Sequence, residues 1–154
     1  MALSNLEDTL DQDLKTAMLS GRTQVVSTLR GIKSAILYAK VAAGDRQHVL
    51  SNDVLVAILQ KEAKKRQESA DMYLKGGSSE KAEAELAEKS LIEQYLPKQL
   101  SDAELAGIVD GVINELAASG MASMGPVISK VKESASGRAD GASIARIVRE
   151  RLVR

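Results

Sequence analysis

Apolar residues recur along this chain at intervals of three and four, and no stretch alternates them with polar residues at period two. A half-buried strand needs an apolar, preferably β-branched, side chain at every second position, whereas a helix needs them at helical spacing. The pattern therefore predicts an all-α fold. Ser4 and Glu7 form a candidate capping box ahead of Leu6, Leu10, Leu14 and Met18, and Ser20-Gly21 stops that helix. A second stripe runs through Val25, Val26, Leu29, Ile32, Ile36 and Leu37 to about Gly44. Ser51 can cap a third helix, in which Val54, Leu55, Ile58 and Leu59 lead into KEAKKRQESADMYLK before Gly76-Gly77. A fourth, rich in the strong helix formers Ala, Glu and Lys, spans about Ser79 to Leu96 and ends at Pro97. Short loops between these four helices predict antiparallel hairpins.

The segment Leu96-Pro97-Lys98-Gln99-Leu100 reads as a domain boundary, dividing an N-terminal helical domain (1–97) from a C-terminal domain (98–154). Beyond it stands a complete helix start: Leu100 as staple, Ser101 as cap, Glu104 three residues on and Leu105 to meet Leu100. The apolar face then reads Leu105, Ile108, Val109, Val112, Ile113 and Leu116, up to Gly120. Ser123 can cap the next helix, with Pro126 in its first turn, where a missing N–H costs little. That helix carries Val127, Ile128 and Val131, and Asp140 can cap a last one with the stripe Ile144, Ile147, Val148 and Leu152. Three short helices are thus predicted after the boundary.

With three Tyr and no Phe or Trp, the cores of both domains must be aliphatic. The chain has no Cys, which excludes disulfides, thiolate metal sites and thiol catalysis and accords with a reducing compartment. The segment MALSNLEDTLDQDLK is acidic and periodic, unlike a signal peptide, and the longest wholly apolar run, Val54 to Leu59, is too short to span a bilayer. The expectation is a soluble cytoplasmic protein.

Catalytic patterns are missing from the sequence: it has no HExxH, GxSxG or P-loop motif. Its one histidine, His48, lies in the loop-like GDRQHVLSND segment with no evident partner, as a solvated residue would. The expectation is that the chain is not an enzyme and uses no metal or other cofactor. Lys61, Lys64, Lys65 and Arg66 read as a polar helix face beside Glu62, Glu68 and Asp71, and could serve as a secondary phosphate contact.

Charge is distributed unevenly. The formal net charge is zero, yet residues 100–123 hold Asp102, Glu104, Asp110 and Glu115 and no Lys or Arg. Residues 124–154 hold Lys130, Lys132, Arg138, Arg146, Arg149, Arg151 and Arg154 against only Glu133, Asp140 and Glu150. The turn Gly137-Arg138-Ala139-Asp140-Gly141 has glycines able to take positive φ, and the amides opening the last helix form a weak anion site. Arg146 and Arg149 share a face away from the apolar stripe. Two readings follow from charge alone. The cations gather into a surface for polyanions, or Arg138 pairs with Asp140 or a helix end and the arginines merely solubilise a small domain.

The run MGPVISKVKESASGRADGASIARIVRERL resembles the tail of the GatB/YqeY family. The resemblance is carried by Met124-Gly125, Val127-Ile128, Val131, the Gly137–Gly141 turn and the Val148–Leu152 stripe. The junction Glu93 to Ser101 and the segments LKTAMLSGR and LRGIKSAI resemble stand-alone YqeY-like proteins, so the likeness covers essentially the whole chain. In tRNA-dependent amidotransferases a related region of the B subunit helps to hold tRNA, and a similar module is appended to some glutaminyl-tRNA synthetases. The resemblance implies a non-catalytic, tRNA-binding accessory module, since the chain lacks room for the domains that perform transamidation. The residues implied are Lys130, Lys132, Arg138, Arg146, Arg149 and Arg151, with Gly125, Gly137, Asp140 and Gly141 shaping the turns. With so few aromatics to stack on bases, shape recognition of tRNA is expected rather than single-strand or DNA binding. The alternative is a protein–protein adaptor, with an aminoacyl-tRNA synthetase or another translation protein as partner.

Overall fold

The computed structural model describes residues 5–47 and 49–153. Ser4, His48 and Arg154 lie outside the described residues. Among the described residues there are α-helices and one 3-10 turn, with no strand. The chain divides into two compact units, Met1–Leu96 and Pro97–Arg154.

The first unit holds α1 (Leu6–Leu19), α2 (Thr23–Ala42), α3 (Asn52–Lys75) and α4 (Ser79–Glu93). Asn5 caps α1, its side chain accepting the Glu7 N–H. Ser51 caps α3 as its sequence context predicts, accepting the Val54 N–H at 3.3 Å. Helices α1 and α2 pair, and α3 and α4 pack along one another as a longer hairpin. The core is wholly aliphatic: Leu10, Leu29, Ile32, Ile36, Leu50, Leu55, Leu59, Ala63 and Ile92. Not every apolar position reaches it. Met18 (53% exposed), Leu37 (40%) and Val54 (44%) belong to the helical stripes of the sequence but face solvent.

A polar layer crosses this unit. Glu62 is buried and pairs with Arg66, one helical turn on, while the Arg66 Nε stands 3.5 Å from Glu88 on α4. Thr28 on α2 donates its hydroxyl to Glu88 at 3.3 Å. The guanidinium thereby joins three helices, and Gly31 leaves room for it on α2, where a Cβ would lie 3.4 Å from the Arg66 Nη2. Elsewhere Tyr95 donates to Asp13 at 2.6 Å, and burial together with that bond pushes its phenol well above the usual range. Because its folded pKa is raised, Tyr95 contributes stability that is complete below the unfolded value. That contribution declines above about pH 10, where the unfolded phenol ionises first. A Tyr95→Phe variant should therefore lose the alkaline part of the chemical-denaturation profile while remaining folded at neutral pH.

The second unit holds α5 (Asp102–Leu116), the 3-10 turn Met121–Ser123, α6 (Met124–Ala135) and α7 (Gly141–Leu152). The α5 capping box forms in full: Ser101 accepts the Glu104 N–H at 3.1 Å, and Glu104 accepts the Ser101 N–H at 3.2 Å. Ser123 stands at the N-cap position of α6 as expected, but its hydroxyl is bonded to the Ser119 backbone and makes no capping bond. Each of the three helices packs on the other two around Leu105, Val109, Val112, Val127, Val131, Ile144, Ile147, Val148 and Leu152. Leu116 stays 43% exposed, past the end of that contact. Gly107 and Gly111 lie inside α5 with no positive φ, and a Cβ added at either would meet nothing within 4 Å. Alanine at either site should stabilise the unit by about 0.5–1 kcal/mol through the lower entropy of the unfolded chain. Thermal unfolding of Gly107→Ala and Gly111→Ala variants reads this directly.

Candidate functional site in the C-terminal unit

The residues that stand out in the sequence do two different jobs. The Gly137–Gly141 turn is a structural joint. Helix α6 ends in two successive left-handed residues, Ser136 (φ 49) and Gly137 (φ 78). The second of these conformations is inexpensive only for glycine. Gly141, by contrast, opens α7 in a helical conformation and takes no positive φ, and Gly125 sits in the first turn of α6. Asp140 caps α7, accepting the Ser143 N–H at 2.8 Å.

Arg138 turns back on the helix it follows. Its Nε donates to the Ala135 carbonyl at 2.9 Å and its Nη2 to the Ser134 carbonyl at 3.1 Å. These are carbonyls of the last turn of α6, which have no intrahelical partner and carry the negative end of the helix dipole. The Arg138 backbone carbonyl accepts the Leu100 N–H at 2.7 Å, and Gln99 donates to the Gly137 carbonyl at 3.2 Å. The turn therefore ties the entry of α5 to the junction of α6 and α7. Arg138→Ala should lower the stability of this unit by about 1 kcal/mol, the usual effect of losing a cap, and leave tRNA affinity unchanged. A paired denaturation and filter-binding measurement separates the two.

Three of the other cations stand beside acids. Arg146 donates to Asp102 at 3.1 Å and stands 3.6 Å from Glu150. Its hydrogen bond to Asp102, then that residue's charge, raise the guanidinium above its ordinary value. The Arg151 Nε lies 3.4 Å from Asp110. Lys130 lies 4.0 Å from Glu133 on its own helix. Helices α5 and α7 thus meet with their opposite charges facing. Asp102 and Asp110 of the acidic segment meet Arg146 and Arg151 of the basic one, although the chain keeps the two segments apart. Lys132 and Arg149 are exposed and in no ion pair among the described residues.

The second basic segment is likewise partly withdrawn. Arg66 is committed to Glu62 and Glu88, and Lys65 lies 3.4 Å from Glu62, which leaves Lys61 and Lys64 exposed on α3. Among the described residues no cluster of three or more His, Asp or Glu could hold a metal ion, and no single helix is long and apolar enough to cross a membrane.

A family model described as Yqey-like protein matches residues 7–152, from the first helix through the last. The chain is also similar to "Altered inheritance of mitochondria protein 41, mitochondrial" of Eremothecium gossypii, with 32% identity over 109 residues. That alignment covers 70% of this chain and 58% of the relative, so the chain spans under two thirds of the relative's length. Together they indicate an accessory protein. The likeness first visible in the Gly137–Gly141 turn and in the segment around Pro97 extends over both helical units, and the chain belongs to the YqeY-like protein family.

Proposed function

We propose that this protein is a non-catalytic accessory protein of translation that works by holding a protein partner. The observation that carries this reading is the pairing of Arg146 with Asp102 and of Arg151 with Asp110. A phosphate-binding surface needs cations whose charge is uncompensated. Here Arg146 and Arg151 of α7 share their charge with α5, and Arg138 serves a helix end. A helical scaffold with an intact aliphatic core and several apolar side chains left at its surface suits an adaptor. The likeness to modules found beside tRNA-handling enzymes supports a synthetase or another translation protein as the partner.

A second reading, tRNA binding by the tail, is favoured by one observation: Lys132 and Arg149 are exposed and outside the ion pairs. Two phosphate contacts supply only weak, salt-shallow binding. The experiment that separates the readings is affinity capture with the immobilised chain, with and without nuclease treatment of the extract. A translation protein retained after nuclease supports the adaptor. Retention that disappears with the RNA overturns it.

A further inference from the structure

Helix α2 turns Leu29, Ile32 and Ile36 into the core but leaves Leu37, Tyr38 (78% exposed) and Val41 in solvent. With Ser34 these positions recur at helical spacing and make one continuous strip along the C-terminal half of the helix. A furrow runs on each side of it. One, of about 270 Å³, is lined by Ser34, Ile36 and Leu37 and edged by Lys33, Lys40 and Arg46. The other, of about 520 Å³, has Gly31, Ala35, Ala39 and Ile58 along its floor, Tyr38 on one wall and Lys61 and Lys65 on the other.

The charge around this strip is one-sided. The acids that line the furrows are Glu7 and Glu62, and both are engaged. Glu7 pairs with Lys40 at 2.5 Å, and Glu62 with Arg66 and Lys65. Lys33 is answered by Asp11 at 2.6 Å. Arg46 and Lys61 are in no ion pair among the described residues, so the rim keeps a positive excess around an apolar strip. An apolar strip flanked by uncompensated cations is complementary to a helix with an apolar stripe and acidic flanks. The small residues Ala35 and Ala39 let a second backbone come close on the α3 side. From Gly31 to Val41 the strip is about 15 Å long, which fits about three turns of a partner helix.

We propose that the face of α2 bearing Leu37, Tyr38 and Val41 docks an acidic amphipathic helix of a partner protein, steered by Arg46 and Lys61. This rests on the reading of the chain as an adaptor and names the chemistry of its partner. A polynucleotide meets the cations equally well but leaves Leu37 and Val41 without an apolar counterpart, so the acidic helix is the better match.

The test uses the full chain and three labelled probes: a designed helical peptide with a leucine stripe and glutamate flanks, the same peptide with lysine in place of glutamate, and a single-stranded oligonucleotide. The acidic peptide is expected to bind at least about tenfold more tightly than the basic one, and more weakly as salt rises. A Tyr38→Ser/Val41→Ser variant alters exposed side chains only and should keep its helical circular dichroism while losing about tenfold in affinity for the acidic peptide. Lys61→Glu should weaken the same peptide with no change in apolar surface. Equal binding of the two peptides, tighter binding of the oligonucleotide, or unchanged affinity in both variants would overturn the proposal. Failure here is separable from failure of the adaptor reading. If the Tyr38→Ser/Val41→Ser chain captures a translation protein as well as wild type after nuclease treatment, the α2 site is wrong and the adaptor stands.

Discussion

Replacing Arg66 with methionine is expected to destabilise the N-terminal unit by about 3 kcal/mol, the low end for stranding a buried charge. The side chain fills a similar volume, so packing changes little; what is lost is the cation between Glu62 and Glu88. The Glu62 side chain is only 11% exposed and keeps just the Lys65 contact at 3.4 Å. Thr28 is left donating to a carboxylate whose counterion has gone. A urea titration of Arg66→Met should show a midpoint shifted far down with an unchanged slope. Removing the stranded partner as well, in Arg66→Met/Glu62→Leu, should restore most of the loss, because an apolar pair satisfies a buried site about as well as an ionic one. A loss below about 1 kcal/mol in the single variant would place the pair among ordinary surface salt bridges.

The second large effect concerns nucleic acid. Asp102→Asn/Asp110→Asn/Glu150→Gln should raise affinity for tRNA, because it releases Arg146 and Arg151 from the acids that occupy them. The available phosphate contacts, Lys132 and Arg149, are then joined by both arginines, which doubles their number. At about 0.9 in slope per contact, a fourfold rise in salt should weaken the wild type by roughly tenfold and the variant by roughly 150-fold. Stability should change little, since solvent-exposed ion pairs of this kind add little to folding. A variant that binds tRNA no better than wild type would show that the arginines are not held back by these acids.

How much of this is legible in the sequence depends on the range over which each interaction acts. The caps at Ser51, Ser101 and Asp140 are readable because a cap is settled within four residues. The same logic puts the start of α6 rightly at Ser123 but not its bond, because the Ser123 hydroxyl finds the Ser119 backbone. Helical periodicity marks Met18, Leu37 and Leu116 as core-facing, yet all three are exposed. Spacing records which side of a helix is apolar, not where along its length a neighbour ends. For the same reason the α2 strip emerges only from the packing. The α5–α7 charge pairs join residues that the chain keeps far apart, Arg146 and Asp102 being 44 positions distant. A segment-by-segment charge count shows polarity where the fold has pairing. Arg138 shows the opposite failure: its role is local, but an arginine beside a glycine turn reads as a phosphate contact as readily as a helix cap.

The measurement that bears most directly on the account is the salt dependence of tRNA binding by the unmodified chain. If the tail cations stay with their acids in solution, the logarithmic slope should be no steeper than about −2, or binding should be too weak to follow. A slope of about −4 or steeper would mean that Arg146, Arg151 and their neighbours abandon Asp102, Asp110 and Glu150 for phosphate, and the adaptor reading would give way to an RNA-binding one.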